Sequence, residues 1–195
     1  MTNPDYTALL FIIDRSGSMY SIKDDMEGGI NGVLEEQKKL PGDVTVDVAY
    51  FDYELTYDDR FLSLDSASIE IHPRGSTALH DAIVMSTSKF GDALSQLPEE
   101  DRPGTVLVTI VTDGQENASR ESNISHVKAL ITQQQDVYNW QFLFLGANQD
   151  ALQTGESFGL RKGASMTYTA TRGGTVDASN FMASTISSAR TRTFV

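Results

Sequence analysis

The sequence has 195 residues, a length typical of one domain, and its 39% hydrophobic and 22% charged residues exclude wholesale disorder. Its 27 acidic and 15 basic residues give a net charge of −12, which repels a polyphosphate backbone and an anionic membrane, so we expect neither nucleic acid nor membrane as a partner. Cysteine is absent, which excludes disulfides, thiolate metal sites and cysteine nucleophiles. The first apolar run, residues 8–13, is too short for a signal peptide or a membrane span, so we predict a cytoplasmic protein.

Apolar runs alternate with longer amphipathic stretches along the chain, which indicates strands alternating with helices. The predicted elements are, in order, a strand at 7–13, a helix at 23–39, a strand at 44–51, an exposed pair of strands at 54–64 and 68–72, a helix at 77–96, a strand at 105–112, a helix at 121–135, a strand at 140–146, a short helix at 149–158, a strand at 165–170 and a helix at 177–190. The runs at 7–13, 105–112 and 140–146 are apolar without alternation, as in the central strands of a parallel sheet. We therefore predict a single domain over residues 1–195, of class α/β. Its Rossmann-like, doubly wound sheet is mostly parallel, with helices on both faces and an antiparallel edge strand.

Small oxygen-bearing side chains follow the predicted central strands. Asp14, Ser16 and Ser18 come after the first strand, Asp113 comes after the strand at 105–112, and Thr77 opens the helix between them. In doubly wound folds ligands bind at the carboxyl ends of the strands, so these side chains are expected at one edge of the sheet. Two carboxylates and three hydroxyls form an all-oxygen set, which suits a hard divalent cation.

Each of these segments has an ordinary structural interpretation when taken alone. Asp and Ser are common turn formers, and Thr77 is a favourable residue to cap the helix that it precedes. Asp113 followed by glycine is a common turn after a strand. The coincidence of three such segments at one predicted ligand-binding edge favours a metal site over three unrelated turns.

The pattern resembles the von Willebrand factor type A domain and its metal-ion-dependent adhesion site. That signature is an apolar strand followed by D-x-S-x-S, then a separate Thr, then an Asp after a later apolar strand. The matching segments here are FIIDRSGSM, RGSTAL and IVTDGQEN. All five site positions match in identity and order, and the strand–helix alternation extends the resemblance over essentially the whole chain. Standalone domains similar to this one occur in bacteria and their phages.

The resemblance implies a role for each site residue. Ser16 and Ser18 would bind the metal through their hydroxyls, Thr77 directly or through water, and Asp14 and Asp113 mainly through bound waters. It further implies Mg²⁺ or Mn²⁺, because Ca²⁺ prefers more ligands. The open coordination position would accept an Asp or Glu carboxylate from a protein partner, such as an ATPase or a larger assembly. The expected function is thus a metal-dependent protein–protein interaction module.

Residues near the predicted site have two interpretations each. Glu116 and Asn117 either support the metal ligands or cap the helix at 121–135. Asp81 either ligates the metal or has a structural role in the first turns of its helix, where a carboxylate suits the helix dipole. Arg15 and Arg74 either face an acidic partner or lie in solvent. Asp52, Tyr53 and Glu54 close a strand and carry no specific signal.

Two other functions compete with the interaction module. A hydrolase would need a base for Ser16 or Ser18, and His80 is the histidine within reach of that edge. The chain has neither the G-x-S-x-G elbow at Ser16 nor a P-loop, so we predict that it is not an enzyme. A structural or assembly component, for example of a phage, could use the fold without metal.

The last predicted helix has a thin apolar face, typical of a marginal terminal helix or of one that shifts with the site.

Overall fold

The computed structural model describes residues 2–147 and 150–191, and within these ranges seven strands form one sheet in the order β3-β2-β1-β5-β6-β7, with β4 also paired to β2. The strands are β1 (Asn3–Asp14), β2 (Asp43–Phe51), β3 (Leu55–Thr56), β4 (Leu62–Ser63), β5 (Pro103–Thr112), β6 (Gln141–Ala147) and β7 (Ser165–Tyr168). Strands β2, β1, β5, β6 and β7 run parallel, while the short β3 and β4 pair antiparallel with β2. The predicted parallel core is confirmed.

Helices cover both faces of the sheet. They are α1 (Lys23–Gln37), α2 (Leu79–Ser95), α3 (Ile124–Val137), α4 (Ala151–Ser157) and α5 (Arg172–Thr191). Helices α1 and α5 pack on one face, and α2, α3 and α4 pack on the other. This confirms the doubly wound α/β class. In residues 2–147 and 150–191, none of the helices is long and apolar enough to cross a membrane.

The continuous apolar pattern of β1 follows from its position between the two helical layers. Successive side chains of a strand point to opposite faces of the sheet. Leu9 and Phe11 lie in the core under α1 and α5, whereas Leu10 and Ile12 lie in the core under α2 and α3. All four side chains are almost fully buried, so this part of β1 is apolar on both faces.

The edge beside β2 differs from the sequence prediction. The segments 54–64 and 68–72 do not pair with each other; β3 and β4, from the first segment, each pair with β2 instead. Residues 68–72 carry no strand and lie along α1. There the Asn31 amide accepts from Ile69 N and donates to Ile69 O, both at 2.9 Å, and Glu27 accepts from Ile71 N. Side chains of a neighbouring helix thus satisfy backbone groups that strand pairing would otherwise satisfy.

The observed helix bounds also differ from the predicted ones, most clearly for α3, α4 and α5. Helix α3 begins at Ile124 because the Asn123 side chain caps it, accepting from Ser125 N at 2.9 Å and His126 N at 3.2 Å. Helix α4, Ala151–Ser157, lies within the predicted 149–158 helix, and residue 149 lies outside the described residues. Helix α5 begins five residues before the predicted 177, at Arg172.

Helix α5 is held more firmly than its thin apolar face indicated. Met182 and Ile186 are fully buried, and Arg190 is only 3% exposed. The Arg190 guanidinium donates to Gln37 O at 2.7 Å and to Pro41 O at 2.9 Å, at the carboxyl end of α1. A cation at that end complements the helix dipole. A buried polar clamp therefore supplements the apolar contact between the two helices.

Candidate metal centre

The candidate site lies where the strand order reverses. The chain passes from β1 to β2 on one side and later returns to place β5 on the other side of β1. Asp14 is the last residue of β1, and Asp113 directly follows β5. Crevices at such switch points, beside the carboxyl ends of the strands, are where doubly wound folds bind ligands.

Asp14 is fixed at the floor of the site. Its side chain is fully buried, and its carboxylate accepts from Ser16 N and from Thr112 Oγ1, both at 2.6 Å. Burial raises the pKa of Asp14 to about 6, although these two hydrogen bonds act to lower it. The structure thus holds a carboxylate in a place where an uncompensated negative charge is unfavourable.

Hydroxyls connect Asp14's loop to the second carboxylate. Ser16 Oγ and Ser18 Oγ are 3.1 Å apart, and Ser18 Oγ donates to Asp113 Oδ1 at 2.7 Å. Ser16 is buried, whereas Ser18 reaches solvent. Burial also raises the pKa of Asp113 above its ordinary value. Four of the five predicted site residues are therefore linked directly through their side chains or by the Asp14–Ser16 contact.

The position of Thr77 in the sequence suggested that it caps α2, but it does not. The capping position is Ala78, and no side-chain capping hydrogen bond forms there. A β carbon built on Gly114 would lie 3.2 Å from Thr77 Oγ1 and 3.7 Å from Ser18 Oγ, so these two hydroxyls flank the same small space. Among the residues that the structure describes, the Thr77 hydroxyl has no hydrogen-bond partner. Thr77 therefore presents a free oxygen beside Ser18.

The donor set fits a hard divalent cation. In the described ranges 2–147 and 150–191, no Lys, Arg or His forms an ion pair with Asp14 or Asp113. Nor do any three His, Cys, Asp or Glu side chains gather into a metal site in that part of the chain, so an ion at this place would depend on hydroxyls for much of its coordination. Two poorly solvated carboxylates, three hydroxyls and an accessible face suit an octahedral ion that keeps some waters, such as Mg²⁺.

The loop after Asp113 is tied to the start of α2. Asn117 Oδ1 accepts from Thr77 N at 2.9 Å, and Glu116 accepts from His80 N at 2.9 Å. Asp81 in turn accepts from the backbone N–H groups of the loop residues Arg120, Glu121 and Ser122. Burial acts to raise the pKa of Glu116 and of Asp81, but these hydrogen bonds lower both pKa values below the ordinary range.

These contacts decide between the two interpretations of Glu116, Asn117 and Asp81. None of them caps α3, whose cap is Asn123. Glu116 and Asn117 instead hold the segment of Asp113 against the segment of Thr77, and Asp81 has the structural role that its place in the helix indicated.

Asp52 is the residue that sequence reasoning missed. It is fully buried at the end of β2, and its Oδ2 accepts from Arg15 Nε at 2.8 Å and from Arg74 Nε at 2.7 Å. Arg74 also pairs with Glu54 at 3.0 Å. Both guanidinium groups predicted to face a partner or solvent are thus already paired within the chain. No local pattern relates position 52 to positions 15 and 74, which are far away in sequence.

The histidines do not form a nucleophile–base pair with the serines. His80 Nδ1 lies 3.7 Å from Glu116 Oε2, and its ring packs edge-on against Phe158. His72 lies beside Glu70, and His126 belongs to the cap of α3. Within the described part of the chain, none of the three donates to or accepts from Ser16 or Ser18.

Sequence comparison does not assign the chain to a family. Neither a scan against protein-family models nor a search of curated proteins found a match.

Comparison with solved structures found extensive similarity. Proximal thread matrix protein 1 from the mussel byssus, with a zinc-occupied MIDAS motif, has a TM-score of 0.66 at 16% identity, over 93% of this chain and 46% of its own. The von Willebrand factor type A protein from Catenulispora acidiphila has a TM-score of 0.60 at 14% identity, over 91% of this chain and 42% of its own. The vWF domain of the type V pili tip protein Mfa5 from Porphyromonas gingivalis has a TM-score of 0.62 at 12% identity, over 93% of this chain and 95% of that domain.

The coverage shows how the fold is shared. The chain spans less than half the length of the mussel and Catenulispora proteins, but nearly all of the Mfa5 domain. Identities of this size establish a common architecture and nothing finer. The sheet order, the two helical layers and these structural similarities show that the chain has the fold of a von Willebrand factor type A domain.

Proposed function

We propose that residues 1–195 form one metal-dependent protein-interaction domain. A divalent cation, Mg²⁺ or Mn²⁺, is held at a site built from two carboxylates and three hydroxyls: Asp14, Ser16, Ser18, Thr77 and Asp113. A partner protein supplies an Asp or Glu carboxylate to the open side of this site. ATPases and larger assemblies are the classes of partner that we expect.

The observation that carries this proposal is the free hydroxyl of Thr77 beside Ser18. Thr77 as a whole is only 3% exposed, and none of the described residues forms a hydrogen bond with its hydroxyl. A cation in the space next to Gly114 would give that oxygen a partner and would compensate the buried carboxylate of Asp14 and the partly buried carboxylate of Asp113. The zinc-occupied motif of the mussel protein supports the same interpretation, because that protein shares the fold.

The chemistry of the donors explains why a partner carboxylate is needed. A bound ion would act as a Lewis acid. The hydroxyls of the site are neutral, so they would leave much of its positive charge uncompensated. Asp14 and Asp113 hold the hydroxyl ligands and their waters in place rather than closing the site. Ser18 and Asp113 reach the surface, so an acidic side chain from outside can approach.

A binding module is favoured over an enzyme. Ser16 and Ser18 contact each other, Ser18 contacts Asp113, and no histidine among the described residues forms a hydrogen bond with either serine. We also propose a cytoplasmic location, which a cysteine-free sequence fits.

The metal is tested first, by calorimetric titration of the EDTA-treated protein with Mn²⁺ and Mg²⁺. The key variant is Gly114→Ala, because its methyl group would lie 3.2 Å from Thr77 Oγ1 in the proposed ion space. We expect an affinity at least about tenfold weaker. Gly32→Ala is the matched control, since a methyl group there meets nothing within 4 Å and affinity should be unchanged. A wild-type protein that binds neither ion refutes the proposal.

The carboxylate partner is tested with displayed peptides. A random peptide library selected on the Mg²⁺-loaded protein should yield binders that share an Asp or Glu. Their binding should be abolished by EDTA and by changing that acid to its amide. Binders that survive both treatments would show that the protein recognises partners by another route.

A further inference from the structure

We propose that Asp52 is a positioning residue of the candidate metal site: its buried carboxylate sets the spacing between the segment of Ser16 and the segment of Thr77. This inference rests on the proposed function, because the effect it predicts is on metal affinity. Asp52 itself does not belong to the donor set.

The Asp52 carboxylate is the common acceptor, here called the hub, of three donors: Arg15, Arg74 and the Glu54 amide. One carboxylate oxygen accepts from Arg15 Nε at 2.8 Å and from Arg74 Nε at 2.7 Å. The other accepts from Glu54 N at 2.8 Å, which fixes the carboxylate at the end of β2. The side chain is fully buried, so these three donors satisfy its carboxylate in place of water.

Each arginine belongs to a different ligand-bearing segment. Arg15 stands between Asp14 and Ser16, and Arg74 lies three residues before Thr77. Arg15 is additionally held by Thr56, which accepts from its Nη2 at 2.9 Å. One carboxylate therefore links two segments whose direct hydrogen bonds to each other, within the described residues, join backbone atoms.

Backbone hydrogen bonds show that the two segments are in register. Arg74 N donates to Arg15 O at 2.7 Å, and Gly17 N donates to Gly75 O at 3.1 Å. Asp52 O also accepts from Ala78 N at 2.8 Å, directly beside Thr77. The loops of Ser16 and Thr77 are thus joined by two backbone hydrogen bonds. Asp52 contacts both loops, through its carbonyl oxygen and through its carboxylate.

Asp52 is suited to this role because it stays charged. Burial acts to raise its pKa, but the Glu54 amide and the two arginines lower it below the ordinary value. Removing the carboxylate would leave the Nε–H groups of Arg15 and Arg74 without their acceptor, and the Arg15 side chain is only 12% exposed. The arginines would then move, and the loops would move with them. Outer contacts of this kind typically change metal affinity by about 10–100-fold.

The first test compares two aspartates of the same strand. Asp52→Asn should weaken Mn²⁺ binding by at least about tenfold. Asp47→Asn is the matched control, because Asp47 is also fully buried on β2 but accepts from Tyr57 Oη and Phe61 N, both at 2.6 Å. Its variant should lose stability yet bind Mn²⁺ within about twofold of wild type. Equal losses in both variants would reduce Asp52 to a general structural role and overturn the inference.

A second variant separates positioning from charge. Asp52→Asn also removes a negative charge, which by itself weakens cation binding. Arg74→Gln removes a positive charge, so Coulomb's law alone predicts tighter Mn²⁺ binding. Positioning predicts weaker binding, by about threefold or more, because one arm of the hub is lost. The Arg74 side chain is 49% exposed, so this variant should fold normally. Unchanged or tighter binding refutes the inference.

The outcomes also separate this inference from the proposed function. If wild type binds no Mn²⁺, both are refuted. If wild type binds Mn²⁺ and the folded Asp52→Asn and Arg74→Gln variants bind it equally well, only the role of Asp52 is refuted.

Discussion

The buried carboxylate of Asp14 should make the metal-free protein less stable at neutral pH than in mild acid. Its pKa rises from 3.8 to about 6 in the folded state because the side chain is buried. The folded protein therefore binds this proton more tightly than the unfolded chain does. The stabilisation from protonation is complete below about pH 4 and is lost as the pH rises through about 6.

Asp14→Asn tests this prediction. The amide is neutral at every pH, its Oδ1 still accepts from Ser16 N, and Thr112 Oγ1 can donate to Gly114 O, now 3.1 Å away. The pKa difference corresponds to about 3 kcal/mol, since one pKa unit is about 1.4 kcal/mol. In EDTA at pH 7 the variant should be more stable than wild type by about 2–3 kcal/mol, or roughly 5–10 °C in melting temperature.

The assay is thermal and urea unfolding of both proteins at pH 4, 5, 6, 7 and 8, in EDTA and in Mg²⁺. The difference between variant and wild type isolates Asp14 from the other carboxylates, some of whose pKa values are raised and others lowered. In EDTA it should vanish near pH 4 and grow through pH 6. Saturating Mg²⁺, about 100 times the dissociation constant, should stabilise wild type alone by about 2.7 kcal/mol. A variant less stable than wild type in EDTA at pH 7 would refute the reasoning.

Two further predictions concern parts of the fold remote from the site. Arg190→Met should lower the free energy of unfolding by about 3 kcal/mol, because carbonyls at the end of α1, Gln37 O among them, lose their charged donor. Thermal unfolding should show the same loss with and without Mg²⁺, and a metal-dependent loss would contradict the assignment. Asn31→Ala should free the Ile69 backbone and cost about 1–2 kcal/mol. Limited proteolysis should then cut within 64–72 first, and cleavage elsewhere would count against this contact.

The parallel core could be predicted because its determinants are local. A strand buried on both faces is mostly apolar, and β1, β5 and β6 each contain such a run, residues 8–13, 106–111 and 142–145, which is broken only by the small, β-branched Thr109. The run in β1 ends at Asp14. The chain order of the strands then placed the polar segments at one edge of the sheet through the general geometry of doubly wound folds.

The edge beside β2 could not be predicted from periodicity. Alternation in 54–64 and 68–72 indicates extended backbone but does not identify its partner. Pairing with β2 in one case and contact with α1 in the other depend on which backbone groups the folded chain leaves unsatisfied. The early start of α5 has a similar origin, because its first turns are held by Thr171 and Thr175 rather than by an apolar stripe.

The sequence by itself determined the α/β class, the central strands and the identity of the oxygen-bearing residues at their ends. These depend on burial periodicity and turn chemistry, which act over a few neighbouring residues. Only the tertiary structure decided that Thr77 faces Ser18 instead of capping α2, that Glu116 and Asn117 join two loops, and that Asp52 holds Arg15 and Arg74. Those contacts link residues distant along the chain, and they form because packing of the sheet and helices brings their polar groups beside partners that satisfy them.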